Sequence, residues 1–213
     1  MPNNAMIFGD SYSTFEGYNP KGYATYYSTQ DPNETGVTKV EETWWHQVMD
    51  EGHFNLLHNN SWSGSTICYT GYDGDCSRSS SFICRLEQKT EEGFFEQNEI
   101  NTVFVMGATN DAWCGADCGE MKYDGFEKKD LYNVLPAISY FFKTLRNAVP
   151  QAMIYCMINA DYLTPEITKG FQDACGKYDL VEVYIKDLPV AGGHPTVEGM
   201  EHIKNCVMLQ VNQ

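Results

Sequence analysis

A serine stands at residue 11, directly behind the apolar run Ala5–Gly9 and inside the tripeptide Gly9-Asp10-Ser11. In an open α/β sheet, ligands bind beyond the carboxyl ends of the strands. A serine just past such an end, after a glycine that permits a sharp turn, is a candidate nucleophile. The same tripeptide also suits an ordinary turn or helix cap. Three further segments weigh on that choice. Asn59-Asn60-Ser61-Trp62-Ser63-Gly64-Ser65-Thr66 follows a second apolar run, Gly107-Ala108-Thr109-Asn110-Asp111 follows a third, and Gly192-Gly193-His194-Pro195-Thr196 precedes the last helical stretch. Together they supply a hydroxyl, a side-chain amide, a glycine N–H and an imidazole. These are the groups that acyl transfer needs: a nucleophile, a base and donors for an oxyanion.

The elements around these segments alternate. Strand-length apolar runs occur at Ala5–Gly9, Asn55–His58, Thr102–Met106, Met153–Ile158 and Leu180–Tyr184. Runs this apolar suit strands buried on both faces. Between them lie helical patterns. Trp44–Asp50 follows Thr43 as N-cap. A stripe of Val134, Leu135, Ile138, Phe141, Phe142, Leu145 and Val149 has Pro136 in its first turn and ends at Pro150. Thr164-Pro165 opens another helix, and Thr196 caps the last, whose stripe is Val197, Met200, Ile203, Val207 and Val211. The alternation predicts one domain over 1–213, a three-layer α/β/α sandwich on a five-stranded parallel sheet with right-handed crossovers.

These four segments resemble, in order, the motif blocks of the GDSL/SGNH hydrolases. Gly9-Asp10-Ser11 is similar to the nucleophile block, Ser63-Gly64-Ser65-Thr66 to the glycine block, and Gly107-Ala108-Thr109-Asn110-Asp111 to the asparagine block. His194-Pro195-Thr196 with Gly199 is similar to the histidine block. The resemblance implies a flavodoxin-like sandwich and a serine esterase working through an acyl-enzyme. Ser11 would be the nucleophile and His194 its base. The oxyanion donors would be the Ser11 and Gly64 N–H groups and the Asn110 amide. The family pattern also implies an aspartate three residues before the histidine, where this chain has Ala191. Asp187, seven residues before His194, is expected to orient the imidazole; the alternative is a Ser–His dyad with a backbone carbonyl in that role. Asp10 and Asp111 are expected to hold their loops by accepting backbone N–H groups, and Glu198 to sit as a favourable charge in a helix's first turn. His46, His53, His58 and His202 carry no motif and read as surface or packing residues.

Composition narrows the partners. Lys+Arg number 14 and Asp+Glu 29, a net charge of −15, which disfavours nucleic acid and anionic membranes. No apolar run approaches the ~20 residues of a membrane span. The start Met1-Pro2-Asn3-Asn4 has neither the basic residues nor the long apolar stretch of a secretion signal. The expected compartment is cytoplasmic if the chain is whole and extracellular if a leader was removed. Cys156, Cys175 and Cys206 read as buried thiols, and Cys114 and Cys118 as free thiols or a disulfide. No ligand spacing supports zinc, and no cofactor is expected.

The segments 11–42 and 111–129 exceed ordinary loop lengths. The first carries Tyr12, Tyr18, Tyr23, Tyr26 and Tyr27. Tyr12, with Trp62 and Trp113, is expected to line a pocket for a sugar ring, since aromatic faces bury apolar ring surface. The expected reaction is hydrolysis of small acyl, chiefly acetyl, esters on a carbohydrate. The alternatives are a lysophospholipase or thioesterase of the same family, or an inactive carbohydrate-binding module that keeps the fold.

Overall fold

The computed structural model describes residues 3–31 and 34–213. Met1 and Pro2, where the chain start was read, and Pro32 and Asn33 of the 11–42 segment lie outside them. Five parallel strands form the central sheet: β1 (Asn3–Gly9), β2 (Phe54–Ser61), β5 (Thr102–Met106), β6 (Met153–Asn159) and β7 (Val181–Ile185). Their order is β2-β1-β5-β6-β7, with every neighbouring pair parallel. Two-residue strands make two small hairpins, β3 (Thr70–Gly71) with β4 (Gly74–Asp75), and β8 (Val190–Ala191) with β9 (His194–Pro195).

Period-two alternation along each inner strand sorts side chains to two cores. Ala5, Ile7, Phe104, Met106, Tyr155 and Met157 face helices α1 (Trp44–Glu51) and α7 (Val197–Val211). Met6, Phe8, Val103, Val105, Ile154 and Cys156 face α2 (Phe82–Glu91), α5 (Val134–Ala148) and α6 (Pro165–Tyr178). Two short helices, α3 (Phe94–Gln97) and α4 (Thr109–Trp113), complete the set. The caps follow from side-chain chemistry: Thr43 accepts from His46 N–H, Thr164 from Ile167 N–H and Thr196 from Gly199 N–H.

The three-layer, five-stranded parallel architecture is the one the alternation predicts. Three expectations need correction. The outer strands are not buried on both faces: β2 alternates along its first half, with Leu57 exposed, and Tyr184 of β7 is exposed as well. These are the sheet edges, where fewer elements cover them. Val197 is also exposed, because it sits at the first position of α7, ahead of the face that Met200, Ile203 and Val207 bury. All eight cysteines are free, Cys114 and Cys118 included, and Cys206 is only half buried. Among the described residues no helix is long and apolar enough to cross a membrane, and no cluster of His, Cys, Asp and Glu could hold a metal ion.

Counting only sheet strands, the order reads 2-1-3-4-5, so the direction of winding switches between β1 and β5. The crevice at such a switch point is where ligands of doubly wound sheets bind. Ser11 follows β1 and Asn110 follows β5, which brings two of the four motif segments to that crevice.

Candidate active site

Ser11 opens a single 3-10 turn, Ser11–Ser13, immediately beyond β1. The turn is held from inside: buried Asp10 accepts the Tyr12 N–H at 3.1 Å. Gly9 must be glycine here, because a Cβ would stand 2.5 Å from Ser13 Cβ and 2.6 Å from Ser61 Oγ. Burial pushes the Asp10 carboxyl up to about 7, against the pull of its backbone hydrogen bond and of the Arg85 charge.

His194 lies on the β8–β9 hairpin, and its Nε2 is 3.0 Å from Ser11 Oγ. Nδ1 meets the Gly192 carbonyl at 3.3 Å. A ring whose Nδ1–H donates to that carbonyl leaves Nε2 free to accept the serine proton. Burial lowers the His194 pKa, partly countered by the Gly192 carbonyl. Asp187 does not take the place expected of it. It is exposed, in a left-handed turn at φ +57, and the imidazole's Nδ1 is met by its own hairpin instead. Of the two partners the sequence offered the ring, Asp187 and a backbone carbonyl, the carbonyl is the one in contact with Nδ1.

Tyrosines secure this hairpin. Tyr12 O–H donates to the Gly193 carbonyl at 2.5 Å and Tyr27 O–H to the Pro195 carbonyl at 2.9 Å. The Tyr26 ring stacks flat on the imidazole, with centroids 3.6 Å apart and planes 7° apart. Tyr12 is only 1% exposed, so it is a strut under the histidine and not a face for substrate. Trp113 is 40% exposed with its ring edge-on to His194 at 6.0 Å. Trp62 is half buried against Tyr23, centroids 4.1 Å apart.

The donor side is equally tied. Gly64 takes φ +79, a conformation glycine adopts without strain. Ser63 N–H goes to the Ala24 carbonyl and Ser65 N–H to the Trp62 carbonyl. The Gly64 and Ser11 N–H groups have no protein acceptor among the described residues. Asn110 Nδ2 donates to the Ser65 carbonyl at 3.0 Å, and its Oδ1 accepts the Tyr72 hydroxyl at 3.1 Å. That pair fixes which way the amide faces and leaves the second Nδ2 proton unused. Buried Asp111 accepts Ile67 N–H and Cys68 N–H, pinning the segment behind Gly64 to α4. Asp10 and Asp111 thus hold loops, as expected.

Arg85, on α2, joins the two sides and is fully buried. It donates from Nε to the Ser80 carbonyl, from Nη1 to both oxygens of Asn60, and from Nη2 to the Gly9 carbonyl at 3.2 Å and Ser65 Oγ at 3.0 Å. Its guanidinium lies 4.4 Å from the Phe82 ring centre. Burial lowers its pKa to about 10, so it stays charged at neutral pH. Sequence reasoning missed Arg85, Tyr26 and Tyr72. The signal for Arg85 was present: Ser81 caps a helix in which Phe82, Ile83 and Leu86 are buried, with one charge among them. Tyr72 stands in Gly71-Tyr72-Asp73-Gly74, a short hairpin sequence.

A family model described as GDSL-like Lipase/Acylhydrolase matches residues 3–211. The chain belongs to this family. Two solved structures are close to this GDSL-like hydrolase. One, described as a GDSL-like lipase from Bacteroides uniformis, is 38% identical, with 99% of this chain and 96% of that one covered and a TM-score of 0.89. Another of the same description, from Bacteroides ovatus, is 35% identical, with coverage of 98% and 97% and the same TM-score. An acetyl xylan esterase from Butyrivibrio proteoclasticus shares the fold at 16% identity and TM-score 0.62, across 99% of this chain and 63% of that one. No curated protein matches. As a family member, the protein is an ester hydrolase.

Proposed function

We propose that the protein is a serine esterase that removes small acyl groups, chiefly acetyl, from a carbohydrate. The observation that carries the reading is the 3.0 Å contact of Ser11 Oγ with His194 Nε2, with unpaired donors at Ser11, Gly64 and Asn110. In this mechanism His194 takes the Ser11 proton as Oγ attacks the ester carbonyl carbon. The tetrahedral oxyanion is received by Ser11 N–H, Gly64 N–H and the second Asn110 Nδ2 proton. One such donor is typically worth ~3 kcal/mol of barrier. His194 then protonates the departing alcohol. Water, deprotonated by the same imidazole, releases the acid and restores Ser11.

The carbohydrate half rests on a hollow of about 280 Å³ that Gly64 itself borders, with Trp62, Ser63, Tyr72, Asp73 and Asp75 in its wall. That size is near the lower end of small-molecule sites, ~300 Å³. A wall of hydroxyls, carboxylates and two aromatic rings suits one sugar ring better than a long acyl chain. The fold likeness to an acetyl xylan esterase agrees with this reading. The test is hydrolysis of p-nitrophenyl acetate, of longer p-nitrophenyl esters and of acetylated xylo-oligosaccharides, with Ser11→Ala as control. Acetyl esters should be preferred and the variant, still folded, should be inactive. Preference for long chains would transfer the protein to lysophospholipase or thioesterase chemistry. Full activity in Ser11→Ala would end the assignment of the nucleophile.

A further inference from the structure

We infer that Tyr26 is a positioning residue that does for His194 what a carboxylate does in a triad: it fixes the ring and favours its charged form. The inference rests on the Ser11–His194 reading above. The first support is geometric. In the plane of the imidazole, Ser11 Oγ and the Gly192 carbonyl hold the two nitrogens. Neither contact restrains the ring's tilt about the line joining them. Tyr26 covers one flat face at 3.6 Å and 7°, which removes that freedom.

The platform is also tied to the nucleophile. Tyr26 N–H donates to Thr14 Oγ1 at 2.9 Å, and Thr14 Oγ1 donates to the Ser11 carbonyl at 2.9 Å. Thr14 is fully buried. Two hydrogen bonds thus lead from the backbone of the nucleophile to the backbone of the stacking residue. On the other side the Tyr27 ring meets Tyr26 edge-on at 5.0 Å, and its hydroxyl holds Pro195, the residue after His194. Ser11, Tyr26 and His194 are thus linked through contacts on both sides.

A second support lies in the stacking mode. Two neutral aromatic rings prefer an offset or edge-on arrangement with centroids ~4.5–7 Å apart. Nearly parallel rings with centroids 3.6 Å apart leave little offset and set like quadrupoles face to face. An imidazolium over the same ring face is attracted instead. The arrangement therefore favours His194 after it has taken the proton more than before, and an interaction that strengthens toward the transition state accelerates the step. For a half-buried imidazolium over a ring the expected factor is roughly tenfold, rising toward thirtyfold in the desolvated limit.

Tyr26→Phe and Tyr26→Leu in the full chain test this. Phenylalanine keeps the ring face; leucine keeps apolar bulk without it. With p-nitrophenyl acetate, kcat should stay within about threefold in Tyr26→Phe and fall tenfold to thirtyfold in Tyr26→Leu, with KM little changed. A readout independent of activity is the NMR titration of His194. The wild-type ring protons should show an aromatic ring-current shift that persists in Phe and vanishes in Leu. At similar burial, losing the ring should lower the His194 pKa in Leu relative to Phe by about one unit, the equivalent of tenfold. Wild-type kcat in Tyr26→Leu, a Phe variant as impaired as Leu, or equal His194 pKa values in the two would each overturn the inference. If the wild type cleaves no ester, the reading beneath it fails, and the NMR titration still decides the role of Tyr26.

Discussion

His194 donates its Nδ1 proton to the carbonyl of Gly192, two residues earlier in its own hairpin, at 3.3 Å. The β8–β9 pairing sets this contact, since Ala191 and His194 are partners and Gly192-Gly193 form the turn between them. A histidine oriented by its own turn has no need of a carboxylate from outside it. Asp187, exposed at φ +57, belongs to the approach to the hairpin.

Asp187→Asn should accordingly keep turnover within about twofold of wild type. In a protease triad the same acid-to-amide change lowers kcat by ~10⁴, because it traps the wrong tautomer. Asparagine also tolerates the left-handed turn that Asp187 adopts, so the variant should fold normally. Steady-state kcat on p-nitrophenyl acetate is the measurement; a drop of a hundredfold or more would put the carboxylate back in the machinery.

The pH profile should carry the mark of the buried imidazole. Burial holds the His194 pKa below its ordinary 6.5, and the base works in its neutral form. As pH falls, the active form therefore persists past pH 6.5 before protonation removes it. The acid limb of kcat/KM, which reports the free enzyme, should have its midpoint below 6.5. A midpoint well above 6.5 would show that burial does not dominate the titration of this ring.

Asp10 makes a stability prediction of its own. The folded protein keeps its proton up to about pH 7, whereas the ordinary value is 3.8. Across that window the folded state binds more protons than the unfolded chain, so this group's contribution to stability is full below about pH 4 and is lost as pH rises to about 7. Asp10→Asn retains an acceptor for the Tyr12 N–H and carries no charge to desolvate. Its thermal midpoint should gain on wild type between pH 5 and pH 8. Parallel curves for the two proteins over that range would remove Asp10 from the pH dependence.

The fold was legible because its determinants are local. Apolar runs such as Thr102–Met106, and caps such as Thr43, Thr164 and Thr196, fix element type and order within a few residues. Ser11, Gly64, Asn110 and His194 could be singled out for a related reason: the first three follow sheet strands within a few residues and the last shortly precedes a helix, so sequence position and spatial position nearly coincide. The choice between the two partners offered to His194, Asp187 and a backbone carbonyl, was not legible. Seven residues of sequence separate the histidine from Asp187, but whether they bring the two together depends on hairpin register, which no side-chain type announces. Tyr26 and Arg85 were hidden differently. Tyr26 meets His194, and Arg85 the Gly9 carbonyl 76 residues away, only through the fold; Arg85 stands out locally as the one charge among the buried residues of its helix, but the groups it reaches do not.

Arg85 offers the sharpest test of how the donor side is held. Its Nη2 binds both the Gly9 carbonyl, two residues before the nucleophile, and Ser65 Oγ, next to Gly64. Ser65 in turn accepts the Asn110 amide on its carbonyl. Two of the three proposed oxyanion donors therefore depend on where Arg85 holds Ser65. Arg85→Met keeps apolar bulk but removes the guanidinium from over Phe82 and deprives Gly9, Asn60, Ser80 and Ser65 of a donor; each buried polar group left unpaired costs about 1–3 kcal/mol. Lysine keeps the charge but replaces the planar fork with a single ammonium, which cannot span Gly9, Asn60 and Ser65 together. Both variants should unfold at lower temperature, methionine more so. Measured well below their midpoints, both should lose kcat by tenfold or more, since losing one oxyanion donor outright costs ~10²–10³. A folded Arg85→Met protein with wild-type kcat would mean that Gly64 and Asn110 are positioned without it.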